Sequence, residues 1–242
     1  MAAIYLIRHG QASFGKADYD LLSDIGIQQA KILGEYWQSL ETPDKFFSGD
    51  LLRHSQTLKH FSVGHQSDKT PSIIHSGLNE FDHVDIFKCY DARWQDFAKR
   101  SHEIQQLERP NKIFQKEFAQ ALERWISGGY DKEYKESWPQ FKQRCVRALQ
   151  SIIEQELANN RQAMTNNTKV TKDILVFTSG GTISTIIQHI LQLSDEQALK
   201  INQQLRNTSV SKLLFCRDEL SVDYYNNYSH LAVKSSDLIT FR

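Results

Sequence analysis

The chain has 242 residues, with 29 basic and 29 acidic side chains and a formal net charge of +0. That balance excludes a nucleic-acid binder working through a global positive field, although a local anion site stays open. Hydrophobic residues make up 40%, with only eleven glycines and four prolines, which excludes disordered, collagen-like and low-complexity classes.

The opening Met1-Ala2-Ala3-Ile4-Tyr5-Leu6-Ile7 carries no basic leader, and no apolar run approaches the ~18 residues of a membrane span. Ala3–Ile7 reads instead as a buried strand, and Lys45–Ser48, Ser72–His75 and Asp173–Thr178 read the same way. Between the first two, Asp24–Leu40 spaces Ile27, Ala30, Leu33, Trp37 and Leu40 by three and four, predicting an amphipathic helix with Ser23 as its N-cap. A second helix is expected from about Leu51 to Phe61. Strand and helix alternating in this way predict a mostly parallel central sheet with helices on both faces, a three-layer α/β sandwich.

From about Asp82 to Asn160 the pattern is helical, with no convincing strand. Residues 82–136, rich in charge and aromatics, read as a helical insertion within a single domain of 1–242, placed over the sheet's edge as a lid. Phe81, Phe87, Tyr90, Trp94 and Trp125 are expected to form its core rather than line a pocket. Phe141–Leu157 is a helix with Phe141, Cys145, Leu149, Ile152 and Ile153 on one face, and Asn159–Lys172 an exposed irregular connector. A glycine pair then opens the helix Thr182–Leu193, and Val210–Cys216 and Leu220–Tyr225 form two strands joined at Arg217-Asp218-Glu219. Cys89, Cys145 and Cys216 show no metal-ligand spacing, so reduced thiols in a cytoplasmic protein are expected. No heptad seam is present, and oligomeric state is not legible.

Ligand sites of parallel sheets lie at the carboxyl ends of the strands. The first strand delivers Arg8-His9-Gly10-Gln11 there. A guanidinium can grip phosphoryl oxygens bidentately, and a neutral imidazole can attack phosphorus. The second strand leads to Arg53 within the first turns of a helix, where anions are favoured. The third leads to Gly77-Leu78-Asn79-Glu80, and the fourth to Ser179-Gly180-Gly181, a helix start suited to an oxyanion. Any one of these is weak alone, since short motifs arise by chance. Four converging strand ends are a much stronger signal.

On these residues the chain resembles the histidine phosphatase superfamily, the phosphoglycerate-mutase-like fold, in its phosphatase branch. Arg8-His9-Gly10 matches the hallmark tripeptide, and Leu51, Arg53, Gln56 and Thr57 match a second family signature. Asp24–Ala30 resembles the family's first helix, and Asn207-Thr208-Ser209 and Tyr228-Ser229-His230-Leu231 also stand in family-like places. The resemblance implies a phosphatase that attacks a small phosphomonoester through His9, forming a phosphohistidine. Arg8 and Arg53, with Gln11, Ser179 and Gly180, would bind the phosphoryl group, and Glu80 would act as acid and base, with Asp82 as fallback. It implies no metal and no cofactor, while the charge balance and the absence of a long apolar run leave neither a nucleic acid nor a membrane expected as partner. A reference pKa of about 6.5 suits His9 as a neutral nucleophile beside two guanidiniums, whereas Glu80, at about 4.3, needs desolvation or a phosphate dianion to become an acid.

Two departures stand out. The family's second histidine, before the glycine pair, is here Ser179, which can donate a hydrogen bond but carries no charge. The place of a phosphate-touching asparagine holds Phe14-Gly15, with Gln11 and Ser13 as stand-ins. Compensating histidines are sought among His54, His83, His189 and His230. His54 is expected to point away from Arg53's side of its helix, and His83 is the foremost candidate because it lies near Glu80 in sequence. Competing readings are a phosphoglycerate mutase, a phosphohistidine-protein phosphatase, and a phosphate-binding module of slow or lost turnover.

Overall fold

A strand buried on both faces needs apolar residues at odd and even positions alike, and the first strand has them. In the computed structural model, which describes residues 2–13, 20–40, 43–67, 71–168, 170–216 and 219–241, Ile4, Leu6 and Ile7 are fully buried. These residues form strand β1 (Ala2–Arg8). It lies in a six-stranded sheet of order β3-β2-β4-β1-β5-β6, with β2 Lys45–Ser48, β3 Ser72–Ile74, β4 Asp173–Thr178, β5 Val210–Phe215 and β6 Leu220–Asn227. β1 pairs parallel with β4, which pairs parallel with β2, and β2 with β3. β5 runs antiparallel to both β1 and β6.

The two-residue strand period sends Tyr5, Ile7, Phe46, Leu175 and Phe177 to one face. There they pack with Leu33 and Trp37 of helix α1 (Asp24–Trp37) and Leu58 and Phe61 of helix α2 (Leu52–His65). Each such side chain, fully buried, contributes roughly 1.5–3 kcal/mol. The alternate residues Ile4, Leu6, Phe47, Ile174 and Val176 are equally buried on the opposite face. Helix α6 (Trp138–Thr165) covers that side, and its fully buried Glu156 meets Lys45 Nζ at 2.6 Å. Helices on both faces therefore follow from the strand pattern. After β4 come α7 (Gly180–Leu191) and α8 (Asp195–Gln204), and the short helix α9 (Ser229–Ala232) follows β6.

The described residues group into two compact units, Met1–Glu80 with Arg144–Arg242, and Phe81–Gln143. The smaller is helical, with α3 (His83–Tyr90), α4 (Phe97–Gln105) and α5 (Pro110–Ile126) preceding the start of α6. Its core is aromatic. Phe87 stacks on Trp94 with ring centroids 4.0 Å apart, and Phe81 packs on Trp125 and Phe141 at 5.2 and 5.5 Å. Glu117, in the same core, accepts from Trp94 Nε1 and from Arg100, each at 2.7 Å. Tyr90 is only half-buried and bonds Gln120 through its hydroxyl.

One segment differs from the sequence expectation. Instead of an irregular connector from Asn159, α6 continues to Thr165. Its polar residues suit an exposed helix face as well as a loop. Leu40, expected on the apolar stripe of α1, lies beyond the helix end and is exposed. Arg217 and Asp218 of the last predicted turn fall outside the described residues, as do Phe14 and Gly15.

Candidate active site

The exit of β1 is held by its neighbours on both sides. The His9 amide continues the parallel ladder by donating to Thr178 O at 2.9 Å, and Arg8 N–H donates to Ser209 O at 3.1 Å. Thr208 N–H donates to Arg8 O at 3.0 Å, and the Asn207 side-chain amide donates to His9 O at 3.1 Å. Gly10 packs on the first turn of α1, where any side chain would place its Cβ 2.5 Å from the carbonyl oxygen of Gly26. Only glycine fits this approach.

The imidazole of His9 is buried, with Nδ1 at 2.7 Å from Gly10 O. A carbonyl can only accept, so Nδ1 carries the proton and the neutral ring presents its lone pair at Nε2. Burial, then Arg53, Arg8 and His54, hold the His9 pKa well below its usual value. The side chain is therefore neutral and nucleophilic at physiological pH.

Arg8 donates through Nη1 to Leu205 O, and its guanidinium lies beside Gly180, where an added Cβ would sit 3.5 Å from Nε. Arg53 is buried at the start of α2 and is paired through Nη1 with Asp20 Oδ1 at 2.5 Å, while Asp20 also accepts the Leu52 amide at 2.7 Å. Thr57, one turn on, accepts the Gly10 amide at 3.0 Å. Arg8, His9 and Arg53 are thus brought together, as the strand ends predict.

Glu80 sits at the other side of the β4 exit. Its Oε2 accepts from the Gly181 amide at 3.0 Å, in the first turn of α7. Helix N-termini favour carboxylates in this way. The Glu80 segment is held by Thr178 and Thr182, whose hydroxyls donate to Leu78 O at 2.5 Å and Asn79 O at 3.0 Å, and by Arg144 Nη1 to Gly77 O and Asn79 O at 3.1 and 2.9 Å. The glycine pair expected to cradle an oxyanion therefore has one of its amides on Glu80.

Three other expectations change. Gln11 turns to α1: its Oε1 accepts from the Ser23 hydroxyl at 2.8 Å, and its backbone N–H donates to Gln29 Oε1 at 2.9 Å. Asp82 caps α3 by accepting from Val84 and Asp85 amides, each at 3.1 Å. His54 does not point away. Its ring lies 5.8 Å from that of His9, fully buried, with Nε2 at 2.6 Å from Ser179 Oγ. Burial, then Arg53, hold its pKa well below the usual value.

The remaining histidines serve elsewhere. His83 packs edge-on against Phe97 at 5.4 Å, His189 is exposed, and buried His230 bonds Thr208 Oγ1 at 3.0 Å through Nε2. Ser13 is buried, and its amide donates to Leu21 O at 2.7 Å. Among the described residues, no group of three or more His, Cys, Asp or Glu is placed to hold a metal ion. No helix among them is long and apolar enough to cross a membrane.

The fold and site together define a phosphoglycerate-mutase-like α/β protein. A phosphoglycerate mutase from Bacillus anthracis superposes with a TM-score of 0.62 at 17% identity, over 96% of this chain and 95% of that one. A phosphoserine phosphatase mutant from Entamoeba histolytica, in complex with phosphoserine, gives 0.61 at 19%, over 96% of this chain and 100% of that one. The mycobacterial glucosyl-3-phosphoglycerate phosphatase gives 0.59 at 17%, over 93% and 99%. A search of curated proteins found no match. Residues 4–228 match the profile of the histidine phosphatase superfamily (branch 1), and the chain belongs to that superfamily. Membership supports phosphoryl transfer, as a hydrolase or a transferase.

Proposed function

We propose that the chain is a metal-independent phosphatase that hydrolyses a small phosphomonoester through a phosphohistidine on His9, in a reducing, cytoplasmic setting. The observation that carries this reading is the His9–Gly10 hydrogen bond, which presents Nε2 as a lone pair beside Arg8 and Arg53.

In the first step the Nε2 lone pair forms a bond to phosphorus while the phosphorus–oxygen ester bond breaks. The departing oxygen takes the bond pair and a proton from Glu80, whose protonated form is favoured once a phosphate dianion arrives. The guanidiniums of Arg8 and Arg53 balance the charge on the non-bridging oxygens, with Arg53 oriented by Asp20. In the second step Glu80 takes a proton from water as its oxygen attacks phosphorus. The phosphorus–nitrogen bond breaks, releasing inorganic phosphate and neutral His9.

The test is a rapid acid-stable or base-stable quench after mixing with a ³²P-labelled aryl phosphate, in the presence of EDTA. Base-stable, acid-labile label on wild-type protein and none on His9→Ala is the expected result. Turnover that survives His9→Ala would sink the mechanism. Interconversion of 2- and 3-phosphoglycerate, run alongside, would instead mark a mutase.

A further inference from the structure

Ser179, which the resemblance sets in the place of the family's second histidine, is not alone. His54, from the first turn of α2, reaches it across the rim of the sheet, and the two meet at 2.6 Å with both residues fully buried. The chain also makes room for this imidazole. At Gly49 an added Cβ would lie 2.3 Å from His54 Nδ1, so the ring occupies space that any other residue there would fill. Nδ1 itself has no hydrogen-bond partner among the described residues. A buried ring nitrogen left unpaired is costly, and an apolar side chain of similar size would avoid the cost.

Resting on the phosphatase reading above, we propose that His54 is the positioning residue that replaces the missing histidine, acting on the phosphoryl group through the hydroxyl of Ser179. Ser179 and His54 share one hydrogen bond, and either partner can donate it. When a phosphoryl oxygen is present, the Ser179 hydroxyl donates to that oxygen and His54 Nε2–H donates to Ser179 Oγ. A chain of two donors polarises each link and strengthens the terminal bond. On this proposal the imidazole acts from α2, and the short side chain at the β4 exit carries its donor forward.

The alternative is that His54 only packs. Three features separate the two. A unit should show non-additive losses, because removing either member breaks the same chain. A donor that matters to the transition state should lower kcat more than it raises KM. An imidazole returned to position 179 should restore what His54→Ala removes.

The experiment is steady-state kinetics on an aryl phosphate, with orthovanadate binding by calorimetry and thermal melts on every variant. His54→Ala and Ser179→Ala are each expected to lower kcat by about 10- to 100-fold with KM within about threefold, and the double variant H54A/S179A to be no slower than the worse single. H54A/S179H is expected to regain activity to within about fivefold of wild type. His54→Gln, which keeps a neutral donor in a similar volume, covers the case in which alanine prevents folding, and is expected to fall between wild type and His54→Ala.

A folded His54→Ala and His54→Gln with wild-type kcat, losses that multiply in the double variant, or a folded H54A/S179H as slow as His54→Ala would each overturn the proposal. If wild type turns nothing over, the vanadate affinities decide: His54→Gln weakening binding at least tenfold, with recovery in H54A/S179H, supports it, and unchanged affinity overturns it. His9→Ala is read separately on the same plate. Its failure to abolish turnover strikes the phosphohistidine reading and leaves the His54–Ser179 cycle interpretable.

Discussion

One hydroxyl, that of Thr57, joins the His9–Gly10 loop to the helix that carries Arg53. Thr57 Oγ1 accepts the Gly10 amide at 3.0 Å and donates to Arg53 O at 2.6 Å, and the side chain is fully buried. His9 is therefore positioned by a contact 47 residues away in sequence.

Thr57→Val keeps the shape and removes both bonds. Leaving the Gly10 amide unpaired should cost about 1–3 kcal/mol of stability, and kcat should fall by roughly tenfold as the loop loosens. Urea denaturation and kinetics check this, with Thr57→Ser expected to stay near wild type. Equal behaviour of Val and Ser would remove the hydroxyl from the account.

The pH profile should carry His9's environment. Because burial and two arginines push its pKa well below 6.5, the imidazole stays neutral as pH drops through the usual histidine range. The acid limb of kcat/KM is expected below pH 6.5, after correction for the substrate's own second ionisation near ~6. A limb centred at or above 6.5 and absent from any His9-independent background would contradict the site electrostatics.

Stability should fall on the acid side for a related reason. Burial lowers the His230 pKa from 6.5 to about 4, so between those values the folded chain holds it neutral while the unfolded chain protonates it. Its contribution is fully present above pH 6.5 and is lost as pH drops toward 4, amounting to about 2 kcal/mol at pH 5. His230→Gln should flatten the pH dependence of the urea midpoint over that window, and a midpoint curve of unchanged slope would refute it.

Lys45 and Glu156 fasten β2 to α6, with the carboxylate fully buried and the lysine partly exposed. Lys45→Met strands a buried charge and should cost about 2–3 kcal/mol, below the range for a wholly buried pair because water reaches the lysine. Lys45→Met with Glu156→Leu should recover most of that loss in chemical denaturation. No recovery would mean the pair's packing, rather than its charge, holds the two elements.

Much of the fold is legible in the residue pattern because it is local. The cap at Ser23, which accepts the Gly26 amide at 3.1 Å, the apolar stripe of Ala30, Leu33 and Trp37, and the six strands all follow from spacing of a few residues. Arg8, His9, Arg53 and Glu80 were legible because strand ends of a parallel sheet share a rim. What escaped depends on partners far along the chain. A step of about 100° per helical residue makes Arg53 and His54 diverge on an isolated helix, yet α2 meets the β1 exit through Thr57 and the β4 exit through His54. Gly49, small where the helix begins, was the one sequence signal for His54. Gln11 engages Ser23 through its side-chain oxygen and Gln29 through its backbone N–H, partners in space and not in sequence.

The placement of β1 bears on how the site would come apart. The strand is laddered on both sides, by β4 and by β5, so the backbone of His9 belongs to the part of the sheet that local opening reaches last. Glu80 follows β3, a three-residue edge strand with Ile73 and Ile74 exposed. The two ends of the proposed proton and phosphoryl traffic therefore stand on ground of unequal firmness. Thr178, Thr182, Arg144 and the Gly181 amide tether the less secure end to the more secure one, and on the proposed mechanism partial unfolding would silence proton delivery while His9 was still in place.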